Sequence, residues 1–234
     1  MVESAAPGDI GALDDPGYRD AVIDLLGVIS YGEISAFERM AEDSKLAPTM
    51  QDKLALATMA SIELTKVAAL HTRISDLGGD PFDAMAPFGA PIEAFHQHTA
   101  PSDWPEGLVK AFVGDGLAND FYREIAAVLD PATRDLIVSS LDDDGGHAAF
   151  VVDRVRRLIA ADPKLGGRLA LWGRRLMGEA LTQAQRVAAD RDSLTALLTG
   201  GVDRPGLDLA ALGRMFTRLT DRHVDRMAEL GFEA

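Results

Sequence analysis

The feature of this sequence that most constrains its fold is an acid inside the apolar stripe of each of four helical segments. The four acids are Glu33, Glu63, Asp115 and Asp144. The first and third lie in one repeated pattern, an apolar residue, Gly, an acid, two residues and Ala, and a second acid follows each about one helix later. Steps of three and four residues share one helix face, so these acids fall among buried apolar positions. The pattern predicts one helical hairpin used twice.

A basic residue follows the second acid of each hairpin, in Glu63-x-x-Lys66 and Asp144-x-x-His147. Buried carboxylates without positive charge are costly or take up a proton. Lys66 supplies one charge and His147 at most another, so divalent metal would cover the remainder. An acid plus an acid-x-x-His pair from each hairpin is typical of carboxylate-bridged di-iron or di-manganese centres. The alternative is a buried salt-bridge cluster that holds no metal.

The composition limits the partners, the cysteine chemistry and the cellular compartment that are expected for this protein. The 234 residues include 23 Lys and Arg against 37 Asp and Glu, a formal charge of −14, and no Cys. A surface of that sign repels phosphate backbones, so nucleic acid is not an expected partner. The absence of Cys rules out disulfides and thiolate metal sites. No signal-peptide pattern opens the sequence and no apolar run approaches the ~20 residues of a membrane span, so a cytoplasmic protein without membrane contact is expected.

Helical periodicity runs through the chain without useful strand-like alternation, which predicts an all-α fold. Residues 1–14 are predicted to be a loose tail and residues 15–234 a single helical domain. The proline-rich stretch 80–106 is predicted to cross over between the second and third helices. Three more helices are predicted after the third: a continuous fourth helix that begins after Asp130-Pro131, a long helix over 169–198 and a last helix over 207–230.

Four other ionisable residues are not expected to belong to the predicted metal centre. Asp120 and Glu124 fall off the apolar stripe of their helix, which predicts solvated surface acids. His96 and His98 are two residues apart, so on a helix their side chains diverge and are not expected to bind one metal ion.

Several stretches resemble the actinobacterial ferritin-like proteins of the tRNA hydroxylase-like (MiaE-like) family. They are Tyr31–Glu38, Ala86–Phe88, Thr99–Trp104, Gly107–Lys110, Val113–Gly116, Asp120–Glu124, Arg168–Trp172 and Gly178–Leu181. The resemblance implies a ferritin-like four-helix bundle, with a long crossover between the second and third helices and additional C-terminal helices. It also implies oxygen-dependent hydroxylation at a non-haem di-iron centre and a tRNA substrate. This chain departs from the family pattern at Lys66, where the family has His.

Three hypotheses follow from these observations. The first is an oxygen-dependent hydroxylase or monooxygenase with one or two iron ions, or manganese, bound by Glu33, Glu63, Asp115, Asp144 and His147. A protonated lysine is not a metal ligand, so Lys66 alters that site. The second hypothesis is an iron-binding bundle without hydroxylation, and the third a metal-free bundle with a structural or partner-binding role. An oxygenase would need electrons from a separate reductase, and bundles of this type often form homodimers.

Overall fold

The computed structural model describes residues 13–141, 147–201, 204–205 and 207–232, with backbone alone at 147, 201, 204 and 205. Its α-helices are α1 (Pro16–Asp43), α2 (Met50–Asp76), α3 (Pro81–Met85), α4 (Gly89–His98), α5 (Trp104–Ala126), α6 (Pro131–Ser140), α7 (His147–Ala161), α8 (Pro163–Asp190), α9 (Asp192–Thr199) and α10 (Leu209–Glu229). Short 3-10 helices cover Ser44–Leu46 and Ala86–Phe88, and β1 (Gly200–Gly201) pairs antiparallel with β2 (Arg204–Pro205). The all-α prediction is confirmed. The predicted tail lies outside the described residues as far as residue 12.

The helices begin where the sequence supplies a side chain that accepts from free backbone N–H groups. Asp15 accepts from the second residue of α1, and Thr49 accepts from the third residue of α2. Asp130 and Asp162 do the same for α6 and α8. Such caps satisfy N–H groups that have no partner within the helix. Gly78 follows the end of α2 with a φ of 86°, a conformation that glycine adopts without strain.

Four segments form the central bundle: α1, α2, α5, and the consecutive helices α6 and α7. Helices α1 and α2 are joined by a short connection and pack along each other as an antiparallel pair. The crossover that follows holds α3 and α4 and leads to α5, which packs against α6, α7 and α1. Three further helices surround this bundle: α8 and α10 pack on α5, and α9 packs on α1. This is the predicted bundle with a long crossover and additional C-terminal helices.

Two of the predicted long helices are divided. The fourth helix is predicted to be continuous, but α6 ends at Ser140 and α7 begins at His147. The predicted ligand Asp144 lies between them, outside the described residues. The long helix expected over 169–198 begins earlier, at Pro163, and is interrupted at Arg191, whose φ of −135° and ψ of 87° are not helical. Apolar periodicity alone does not reveal such a local change in backbone conformation.

The apolar core has two parts. One contains the C-terminal half of α1, the N-terminal half of α2 and the first part of α5, together with α7, α8 and the end of α10. The other contains the N-terminal half of α1 and the end of α2, together with the end of α5, α6 and α9. On α1 the two parts are separated by Ser30, Glu33 and Ser35, and on α2 by Glu63 and Lys66. The predicted acids of these two helices therefore lie at mid-height between two apolar cores.

Helix α2 is the one described helix that is long and apolar enough to cross a membrane. Only its length and its apolar composition give it this property. Core helices of soluble proteins meet the same criterion, and α2 packs along α1 with its buried face. The helix is therefore weak evidence for a membrane span.

Candidate functional site

Two glutamates and a lysine form an ion cluster between α1 and α2. The ammonium of Lys66 lies 2.5 Å from Oε2 of Glu63 and 3.4 Å from Oε2 of Glu33. The three side chains are only 12%, 11% and 6% exposed, in the order Lys66, Glu63, Glu33. Lys66 and Glu63 are three residues apart, so α2 itself holds them on one face. The structure therefore brings these three predicted residues together, while the role of the two glutamates as metal ligands stays a prediction.

Burial and charge together decide the protonation of the cluster. Burial raises the pKa of Glu33 well above its ordinary value, a hydrogen bond with Glu63 raises it further, and Lys66 opposes both effects. Burial alone would lower the pKa of Lys66, but Glu33 and Glu63 outweigh that effect and raise it. The lysine is therefore an ammonium at neutral pH. A hydrogen bond between two carboxyl groups needs a proton on one of them, and the raised pKa of Glu33 places that proton on Glu33.

Helix α5 adds two groups to this centre. Asp115 is half-buried and accepts a hydrogen bond of 3.1 Å from the amide of Asn119, one turn later. Burial raises the pKa of the Tyr122 phenol, and Glu33, Asp115 and Glu63 raise it further. The phenol therefore stays protonated and can donate a hydrogen bond. A Cβ at Gly32 would lie 3.1 Å from the Tyr122 hydroxyl, so α1 leaves room for this ring.

The described donors fit a metal ion poorly on the Lys66 side of the centre. Its ammonium pairs with both glutamates and already supplies the positive charge that an ion would bring. Among residues 13–141 and the later described ranges, no three His, Asp or Glu side chains are arranged to hold a metal ion. The other predicted half depends on Asp144, outside the described residues, and on His147, of which only the backbone is described.

One cavity, called here the α1–α5 cavity, opens beside the cluster with a volume of about 170 Å³. The acids Glu33, Glu63 and Asp115 line it at one end, together with Tyr122. Its apolar wall is formed by Ala36, Met40, Ile92, Phe95, Ala111 and Ala118. Apolar walls with a few polar groups are typical of small-molecule sites.

The other end of the α1–α5 cavity is basic, and its basic residues were not predicted from the sequence to lie there. Arg39, His96 and Lys110 line it, with the acid Asp43. Burial lowers the pKa of Lys110 to about 8, although Asp43 and Glu93 act in the opposite direction. Burial, Lys110 and Arg39 lower the pKa of His96 to about 3, so its imidazole is neutral at physiological pH. Perturbed pKa values of this kind often mark functional sites.

A second cavity of about 260 Å³, called here the α2–α5 cavity, lies on the other side of the cluster. Glu63 and Asp115 line both cavities, so the centre separates them. The α2–α5 cavity is also lined by Lys66, Arg123 and Arg226, and it reaches the start of α7 through Ala148. The two predicted ligands Glu63 and Asp115 thus face a space that extends to the first turn of α7.

The prediction of Asp120 and Glu124 as solvated surface acids is wrong for both, since their side chains are only 5% and 10% exposed. The Asp120 side chain is buried and lies 2.7 Å from Nη2 of Arg226 and 3.7 Å from Nη1 of Arg222, both on α10. Glu124 pairs with Arg218 at 2.5 Å and with Arg222 at 3.1 Å. The physical reason is that α10 covers a face of α5 that would otherwise be exposed. The sequence carries a signal for this packing, because Arg218, Arg222 and Arg226 lie four residues apart and so share one face of the last helix.

The prediction that His96 and His98 diverge is confirmed. His96 lines the α1–α5 cavity, whereas Nδ1 of His98 lies 2.8 Å from Glu179 at the surface. Lys110 could have been found from sequence, because Gly114 and Ala118 follow it at intervals of four. Small residues on one line of a helix leave space beside a long side chain.

Comparison with known proteins agrees with this architecture. Residues 16–201 match the family described as "Ferritin-like domain, actinomycetes". A solved structure described as "Protein 19 with aldehyde deformylating oxidase activity from Synechococcus" superposes with a TM-score of 0.71. It is 20% identical in sequence, and the match covers 95% of this chain and 94% of that one. A search of curated proteins finds no match. The chain belongs to the ferritin-like domain family of actinomycetes.

Proposed function

We propose that this ferritin-like protein is an oxidoreductase with an asymmetric centre, in which Lys66 takes the place of one metal ion of a pair. The observation that carries the proposal is the ammonium of Lys66 within ion-pair distance of both Glu33 and Glu63. The likeness to a protein with aldehyde deformylating oxidase activity supports the reaction class by analogy only.

A single iron or manganese ion would then be held on the α5 side of the centre. Glu63 and Asp115 would contribute carboxylate oxygens, and Asp144 and His147 the remaining donors. Carboxylate and imidazole are the donor types that iron and manganese take in such bundles. When bound, the ion would supply oxygen-dependent oxidation of a C–H bond, with electrons from a separate reductase.

The chain's own residues have defined tasks in this proposal. Lys66 pairs with Glu33 and Glu63 and holds them in place. The phenol of Tyr122 stays protonated and can donate a hydrogen bond at the edge of the α1–α5 cavity. The apolar wall excludes bulk water from the acids, which strengthens their interactions with any bound charge.

Metal content tests the proposal directly. The protein is expressed with added iron and manganese and analysed by plasma mass spectrometry, with His147→Ala and the surface variant His98→Ala as a matched pair. We expect about one ion per chain in the wild type and in His98→Ala, and loss of the ion in His147→Ala. Lys66→His restores a nitrogen donor and should raise the content to about two ions. Two ions per chain in the wild type would contradict the asymmetric centre.

The second candidate is a metal-free bundle with a structural or partner-binding role. It is favoured by the same ion pairs, because Lys66 satisfies both glutamates without a metal ion. A folded wild type and a folded Lys66→His variant that both contain no metal would select this candidate. The net charge of −14 gives no support to a tRNA substrate, which the family resemblance implied.

A further inference from the structure

Lys110 is the most unusual cation of the α1–α5 cavity. It is 6% exposed, yet within the described part of the chain its ammonium makes no hydrogen bond or ion pair. The ammonium lies over the ring of Phe95, 5.9 Å from the ring centroid. Asp43 and Glu93 influence its charge, but neither is close enough to form an ion pair. The ammonium is not among the fully buried atoms that lack a partner, so it faces the cavity. Asp43 lies at the same end but not within ion-pair distance, so this end of the cavity has a deficit of hydrogen-bond acceptors for the cations.

Two neighbouring nitrogen atoms strengthen this deficit. Nε of Arg39 and Nδ1 of His96 are buried and have no hydrogen-bond partner in the described residues. Arg39 does bind Glu93 through Nη2 at 3.2 Å, so its guanidinium is held in place. Most buried polar groups in proteins are hydrogen-bonded, so Nε of Arg39, which is always a donor, calls for an acceptor that the described residues do not supply. Nδ1 of the neutral His96 imidazole is a donor or an acceptor according to its tautomer.

The charge reverses along the length of the cavity. On α5, Lys110 precedes Asp115 by five residues, or about 7.5 Å at the helical rise. On α1, Arg39 follows Glu33 by six residues, or about 9 Å. Because the two helices run in opposite directions, Lys110 and Arg39 lie together at one end, and Glu33 and Asp115 lie together at the other. The cation end also holds one acid, Asp43, whose pKa burial raises, and the acid end also holds Glu63. Apolar side chains line the space between the two ends.

We propose that the α1–α5 cavity binds a small organic acid, with its carboxylate at Lys110 and Arg39 and its apolar body directed toward Glu33 and Asp115. The reverse orientation would place like charges together at the acidic end. The volume of about 170 Å³ is below the roughly 300–1,000 Å³ of typical drug-sized sites and suits an acid with a short chain.

This inference deepens the proposed function, because it names the substrate class of an oxidoreductase acting at this centre. An apolar body directed toward the acids would bring C–H bonds to Asp115, which lines both cavities and is one of the proposed ligands of the ion. Binding itself requires no metal, so the two proposals can fail separately.

Isothermal titration calorimetry with hexanoate on the full chain, freed of metal with a chelator, tests the inference. The matched variants are Lys110→Met, which removes the charge at similar length, and Lys53→Met, which does the same at an exposed position. We expect Lys110→Met to weaken hexanoate binding at least tenfold and Lys53→Met to leave it unchanged. We expect 1-hexanol, which has the chain without the charge, to bind the wild type far more weakly than hexanoate.

A third variant protects the test against misfolding at Lys110. Ala36→Leu fills the apolar wall without altering a charge, and it should also abolish hexanoate binding. Equal hexanoate affinity in the wild type and Lys110→Met, or equal affinity of wild type for hexanol, overturns the inference. Absence of hexanoate binding at about 10 mM overturns it too, because the cavity then holds only water. Hexanoate binding by a protein that takes up no metal would support this inference and reject the proposed oxidoreductase.

Discussion

The ammonium of Lys66 determines how two buried glutamates are tolerated in the middle of the bundle. Lys66→Met keeps the length of the side chain but leaves Glu33 and Glu63 without their cation. Removing one partner of a buried ion pair is strongly destabilising, and we expect a loss of about 3 kcal/mol in the free energy of unfolding. Chemical denaturation measures this loss. Lys53→Met, at an exposed position, should change stability by less than about 0.5 kcal/mol, and equal effects of the two variants would contradict the argument.

His96 makes stability depend on pH. Its folded-state pKa of about 3 is depressed, mainly by burial and then by Lys110 and Arg39. Its contribution to stability is therefore fully present above its unfolded pKa of about 6.5, and it is lost as the pH falls toward the folded value. We expect this residue to add up to about 1.4 kcal/mol per pH unit to the loss of stability below pH 6.5. Denaturation of the wild type and His96→Gln between pH 7 and 5 tests this, because the variant should lose stability less steeply.

At the level of helix packing, Gly27 allows α1 to approach α3 closely. A Cβ at Gly27 would lie 2.2 Å from the backbone carbonyl oxygen of Ala84, so the two helices would have to separate. We expect Gly27→Ala to destabilise the fold by about 2–3 kcal/mol. Gly178→Ala is the matched control, because a Cβ at Gly178 would have nothing within 4 Å and the site is exposed on α8. There the gain in helix propensity should stabilise by about 0.5–1 kcal/mol.

The starts of the helices could be predicted from sequence because their causes are local. A capping side chain such as Asp15 or Thr49 acts within three residues. The interruption at Arg191 was not predicted, because its neighbours continue an apolar pattern that suits either one helix or two. The burial of Asp120 was not predicted either. It depends on α10, which lies far away in sequence.

The same distinction holds for the site. Glu33, Glu63 and Lys66 were found because each interrupts the apolar stripe of its own helix, a pattern visible in one segment. The basic end of the α1–α5 cavity was missed because Arg39, His96 and Lys110 come from three helices that meet only in the fold. Periodicity shows which face of a helix is buried. It does not show where two buried faces leave a gap.

For the molecule as a whole, ion pairs with Asp120 of α5 hold α10 against the bundle. Asp120→Asn removes the buried carboxylate that faces Arg226, whose side chain is 13% exposed, and we expect a loss of about 3 kcal/mol in unfolding free energy. Asp135→Asn breaks an exposed pair with Arg134 and should cost less than about 1 kcal/mol. Hydrogen exchange should show the amides of α10 losing protection in Asp120→Asn alone. Unchanged protection there would mean that apolar contacts of α10, such as those of Met227, hold it to the bundle without this pair.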